Sequence, residues 1–140
     1  MKNKFTQMEK NLDLGILISR VAIGGPMLVY GINKLIHGIG FIKDMVVNIG
    51  LPSFLANGVF VGEIIAPIMI IFGVRTRLAG VVFAINCLTA ICLAQTESIF
   101  KLNEFGGWAI ELLAIYILIG MSFLFMGAGK YAISTTNKWD

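Results

Sequence analysis

From Leu14 to His37 the chain reads LGILISRVAIGGPMLVYGINKLIH, an apolar run long enough to cross a bilayer that nevertheless carries Arg20 and Lys34. A cation at the centre of a membrane helix costs about 2.5–3.5 kcal/mol on insertion scales, so it faces protein, water or a carboxylate and not lipid. Arg20, Gly24, Met27, Gly31 and Lys34 recur at helical spacing on a face about 80° wide. Small residues on a membrane helix mark close helix contact, so this stripe is expected to point into a bundle. Gly25-Pro26 is expected to kink the span, because Pro26 has no amide for the carbonyl of Ala22.

The rest of the chain supports a membrane protein. Hydrophobic residues make up 57% and charged residues 14% of the 140, and mean hydropathy is +0.85. Four apolar windows, 14–35, 54–73, 78–95 and 107–126, predict an all-α membrane protein, a single domain over 1–140 built as a four transmembrane helix bundle. The first run is too long for a signal h-region and has no small-x-small cleavage site after it, so it reads as a retained span. Between spans 1 and 2, Phe41, Ile42, Met45 and Ile49 line one side of a short interfacial helix ended by Gly50-Leu51-Pro52. It is a connector, or a lid over a site. The polar tail up to Asp13 is expected on the membrane surface.

Lys2, Lys4, Lys10, Arg75, Arg77, Lys130 and Lys138 fall on one side, against Lys34, Lys43 and Lys101 on the other, which predicts cytoplasmic termini. The net charge is +3, but the basic residues form no stripe, which argues against nucleic acid as a partner. The expected partner is the bilayer itself.

Two carboxylates, Glu63 and Glu111, lie inside later spans and are the expected counterparts of Arg20 and Lys34. At 1.5 Å per residue from the cytoplasmic edge, Arg20 lies at about 9 Å, Glu63 at about 15 Å, Glu111 at about 22 Å and Lys34 at about 30 Å. This ladder suggests Arg20 with Glu63 and Lys34 with Glu111, a nearly neutral interior. Pro67, four residues after Glu63, frees the Glu63 carbonyl, so backbone and side chain offer acceptors at one depth. Asn86, at the middle of the third span, can hydrogen-bond across the bundle. Gly107, Glu111, Ala114, Leu118 and Ser122 share a face of the fourth span. The four charges either fix helix register or line a polar pocket that binds something.

Several cofactors do not suit these residues. His37 is the one histidine, so a single chain offers no bis-histidine haem ligation, and no Cys/His cluster suits zinc or iron–sulfur. Cys87 and Cys92 are five residues apart on one helix and read as small buried hydrophobes. No Gly-rich phosphate loop follows a strand. The chain therefore supplies no redox centre of its own, and if electrons are involved a membrane quinone fits best. Tyr30, Tyr116 and Trp108 would line such a site, or serve packing and interface anchoring.

Arg20 in the first span, Gly31-Ile32-Asn33-Lys34-Leu35, Gly50-Leu51-Pro52, Gly62-Glu63, Gly73-Val74-Arg75-Thr76-Arg77-Leu78, Gly106-Gly107-Trp108-Ala109-Ile110-Glu111 and Gly129-Lys130-Tyr131 occur in that order. Together they resemble the DoxX family of small four-span bacterial membrane proteins. Tyr30 stands where that family often has His, and Ala128 where it often has Pro. The resemblance implies a bundle in the bacterial cytoplasmic (inner) membrane that is an oxidoreductase or the membrane subunit of one. It also implies links to thiosulfate:quinone oxidoreduction and to quinone or oxidative stress, and a charged core of Arg20, Lys34, Glu63 and Glu111.

On these grounds Glu63 and Glu111 are the candidate catalytic proton carriers, and Arg20, Lys34, Asn86 and Tyr30 the candidate substrate-binding residues, with no metal site. The expected partners are a quinone or small hydrophobic ligand and a soluble or membrane oxidoreductase subunit, with homo-oligomerisation open. Two other functions suit the same residues: a binding or transport protein for a small hydrophobic or anionic molecule, without turnover, and a structural membrane subunit.

Overall fold

The computed structural model describes residues 11–140, so the expectation for the amino-terminal tail falls largely outside the described residues. Those residues form helices and the segments that join or follow them, with no strand among them and a single isolated antiparallel bridge, Leu102 to Trp108. α1 (Leu12–His37) runs unbroken through Pro26. α2 (Gly40–Asn48) is the expected short helix between the first two spans. α3 (Ser53–Phe72) and α4 (Thr76–Ala94) follow, and α5 (Glu111–Met126) completes the set. α1, α3 and α4 are each long and apolar enough to cross a membrane. α5 is apolar but has 16 residues, about 24 Å of helix against a hydrocarbon core of about 30 Å.

The fourth span was expected to begin at Gly107, but its helix starts at Glu111. Asn103 holds the preceding segment in a turn: its Oδ1 accepts from the amides of Phe105 and Gly107, and its own amide donates to the Gly107 carbonyl. A short polar side chain that satisfies nearby amides in this way competes with the helix.

α1 packs on α3, α3 on α4 and α4 on α5, and α5 returns to α1. Ile23, Met27, Ile70, Phe83, Cys87, Tyr116 and Phe123 are buried in one core, where the Phe83 and Tyr116 rings meet edge to face at 5.5 Å. A second cluster, Ile39, Val46 and Ala56, seats α2 against α3 and α4. α4 and α5 approach most closely at Gly80 and Gly120, where a Cβ on Gly120 would stand 2.9 Å from the Gly80 carbonyl oxygen. Arg20, Gly24, Met27 and Gly31 are all buried, as the stripe on α1 requires.

On α5 the inward residues are Tyr116, Gly120 and Phe123, and Leu118 on the expected face is exposed. That helix is apolar all round, so its sequence carries no periodicity to mark the buried side. Cys87 is buried as expected, whereas Cys92 is exposed.

Arg20 is 1% exposed and meets no carboxylate. Its Nε donates to the Ile70 carbonyl at 2.8 Å and Nη2 to that of Ile71 at 2.7 Å, while Nη1 donates to Ala128 at 2.9 Å and Tyr131 at 2.6 Å. The first two carbonyls belong to the last turn of α3, where helix carbonyls lack intrahelical partners and the helix dipole favours a cation. The other two belong to the carboxyl-terminal segment. Arg20→Lys keeps the charge but loses the planar fork, and is expected to lower stability by about 1.5–3 kcal/mol, read as an earlier unfolding midpoint in denaturing detergent.

The same end of the bundle holds a second knot. Asp140 accepts from the Arg75 amide and guanidinium through Oδ1, and from the Ser134 hydroxyl and Asn137 amide through Oδ2. Burial alone would raise its pKa, but the hydrogen bonds from Ser134, Asn137 and Arg75 outweigh it and hold the carboxyl far below its ordinary value of 3.8. A depressed folded-state pKa adds stability above that ordinary value, and this is lost as pH falls through the folded one. Acidifying from neutrality should leave the tail ordered until well below the usual carboxylate range, followed by proteolysis after Met126. Asp140→Asn should be cleaved more readily at neutral pH and lose that dependence on acid.

Candidate functional site

The one ion pair within the spans among the described residues joins Lys34 to Glu63. Nζ donates to Oε1 at 2.6 Å and to Oε2 at 2.7 Å. Glu63 is sealed, its side chain 6% exposed, while that of Lys34 is 22% exposed. The cation is thus the member of the pair that an entering molecule reaches first.

Local sequence places Glu63 there. Over Val61–Ile65 α3 widens into a π-helical turn, closed by the Ala66 amide on the Val61 carbonyl. Pro67 offers no amide to the Glu63 carbonyl, so the ordinary ladder is interrupted at this point. Neighbouring helices close in on the turn through glycine. A Cβ on Gly31 would stand 2.5 Å from the Glu63 carbonyl oxygen, and one on Gly62 would overlap the Asn86 side chain. Gly24 makes a similar approach to Ile71 and the Pro67 carbonyl.

These contacts set the register of α1 on α3, and they exchange the partners read from the sequence. Gly31 lies level with Glu63, and side chains on a helix lean toward its N-terminus, so Lys34 reaches back one turn onto the carboxylate. Arg20 is eleven residues before Gly31, about 16 Å along the axis, and meets the end of α3 instead. The expected Arg20–Glu63 and Lys34–Glu111 pairs do not form. Glu111 is exposed at the first turn of α5, 3.3 Å from the Asn103 Nδ2. The ladder of depths failed because it assumed a common edge for spans whose register is set by glycine contacts.

A cavity of about 290 Å³ opens beside the pair, walled by Met27, Tyr30, Asn86, Leu113 and Tyr116 as well as Lys34 and Glu63. A second, of about 670 Å³, lies between α2, α3 and α4. Lys34, Glu63, Asn86, Ala90 and Gln95 border both. Of the candidate residues, the structure therefore gathers Lys34, Glu63, Asn86 and Tyr30, and sets Arg20 and Glu111 apart. Trp108 borders neither cavity, its indole N–H donating to the Ile99 carbonyl at 2.6 Å. Gln95 was missed by sequence reasoning. Its signal was an amide directly after the third apolar run, where a polar residue usually means only a helix end.

A family model described as DoxX matches residues 15–96. The chain belongs to the DoxX family. The matched stretch holds Arg20, Tyr30, Lys34, Glu63 and Asn86 and ends before Glu111. A curated relative of this DoxX protein, from Bacillus subtilis (strain 168), bears the name Putative oxidoreductase CatD. It is 33% identical over 118 residues, covering 84% of this chain and 87% of its own. No solved structure matches the DoxX chain.

Removing one member of a buried ion pair strands the other. Lys34→Met alone should cost about 3–5 kcal/mol, while Lys34→Met combined with Glu63→Met should recover most of it. Glu63→Gln and Arg20→Gln, in contrast, should add to within about 0.5 kcal/mol, because they share no partner. Unfolding midpoints of the purified single and double variants read both results.

Proposed function

We propose that this DoxX protein is the membrane component of a quinone-linked oxidoreductase in the bacterial cytoplasmic membrane, with both termini on the cytoplasmic side. The observation that carries this reading is a sealed carboxylate bonded to a cation that borders a cavity of about 290 Å³, next to a larger apolar one. Reduction of a quinone takes two electrons and two protons. The chain's own part is to hold the ring and handle protons: the Lys34 ammonium donates to a quinone carbonyl, Tyr30 and Asn86 bracket the ring, and Glu63 relays protons to the reduced oxygens. Glu63 lies beneath Lys34 away from bulk water, so an entering molecule reaches it from the Lys34 side. Electrons come from a partner subunit that carries the redox centre. The name of the Bacillus subtilis relative supports the oxidoreductase class. Lys130 donating its amide to Asp13 supports termini on one side, and Arg75 and Arg77 at that same end support the cytoplasmic assignment.

The test is mass spectrometry of organic extracts from gently purified wild type, Glu63→Gln and Tyr30→Phe, compared at matched folding by thermal melting. Quinone retained by the wild type and lost from folded Glu63→Gln is the expected result. Bulk lipid alone in every extract, together with no binding of added benzoquinone, would overturn the proposal. Retained quinone that no electron donor reduces would point to binding without turnover.

A further inference from the structure

We infer that the cavity of about 670 Å³ between α2, α3 and α4 is a slot for a single hydrocarbon chain of a neutral-headed amphiphile, entered sideways from the bilayer, its head lying at Lys34, Asn86 and Gln95. The inference uses the head-group site described above but does not depend on that head being a quinone. Its walls are apolar: Ile42, Met45 and Val46 from α2, Val59 from α3, Leu88 and Leu93 from α4. An apolar cavity of this size is poorly served by water and takes hydrocarbon readily.

Part of the lining also forms the outer surface. Leu55, Ile85 and Leu88 border the cavity and are exposed on helices that face hydrocarbon, so its mouth opens to the membrane interior rather than to water. α2 roofs it as an amphipathic interfacial helix, with Val46 buried beneath it and Phe41 and Ile49 exposed at the rim. At the inner end the lining changes to Lys34, Glu63, Asn86 and Gln95, which it shares with the polar cavity. Because Lys34 is already paired with Glu63, the charges there cancel. A head that donates and accepts hydrogen bonds without net charge fits, whereas an anionic phosphate would bring a second negative group against Glu63. Chain and head thus occupy adjoining cavities, in the order that a lipid entering from the side would present them.

The experiment uses the purified full chain in lipid nanodiscs and a monoacylglycerol carrying a diazirine in its chain, followed by irradiation and peptide mapping. Adducts should concentrate in residues 41–59 and 82–94, and excess unlabelled monoacylglycerol should displace them while the phosphate-headed analogue does not. Leu93→Trp, which fills the slot, and Thr89→Trp, which narrows its mouth from an exposed position, should each reduce labelling about tenfold, the effect of expelling two methylenes. Labelling spread evenly over the lipid-facing sides of α1 and α5, or unchanged in both folded variants, would overturn the slot. Labelling at the expected peptides in a protein whose extracts hold no quinone and that binds no added benzoquinone would keep the slot and remove the quinone reading.

Discussion

The guanidinium of Arg20 ties one end of this bundle together. Carbonyls buried at a helix end away from water must find a donor within the protein. Arg20 supplies four bonds at once, to two carbonyls ending α3 and two in the carboxyl-terminal segment. Its spread, planar donors suit that task, and no carboxylate is needed because the acceptors are dipoles at the negative end of a helix. With α1 fastened to the end of α3, the helix face that bears Arg20 carries Lys34 to the level of the π turn.

There the chain departs from regular helix for a reason that lies in a few residues of α3 and one glycine of α1. Pro67 withholds an amide, Gly62 and Gly31 let α4 and α1 come against the turn, and the widened backbone leaves Glu63 sealed under a lysine. Two cations on one stripe therefore do different work. One ties backbone together and borders neither of the two cavities described. The other is bonded to both Glu63 oxygens and still remains partly exposed at the junction of two cavities.

That junction divides the interior by polarity. The smaller cavity brings a cation, a carboxylate, two carboxamides and two phenols within one enclosure, and the larger is mostly apolar away from the residues the two share. Mutual neutralisation of Lys34 and Glu63 makes the polar side hospitable to uncharged heads, and the interfacial α2 shapes the apolar side. Membership of the DoxX family agrees with a helical membrane protein, and the Lys34–Glu63 pair lies within the matched stretch.

Much of this was legible in the residues. Apolar runs of membrane length determined α1, α3 and α4, the amphipathic stretch after Gly38 determined α2, and the spacing of Arg20, Gly24, Met27, Gly31 and Lys34 determined which side of α1 is buried. Pro67 announced the broken ladder at Glu63. The tertiary structure alone decided that Arg20 binds carbonyls, that Lys34 and not Arg20 meets Glu63, and that Glu111 stands outside the site. Periodicity gives a face and a rough depth on each helix, but the offset between two helices is set by a few glycine contacts and by what the distant carboxyl-terminal segment presents. On α5, apolar on every side, even the face had to wait for Gly120 to meet Gly80.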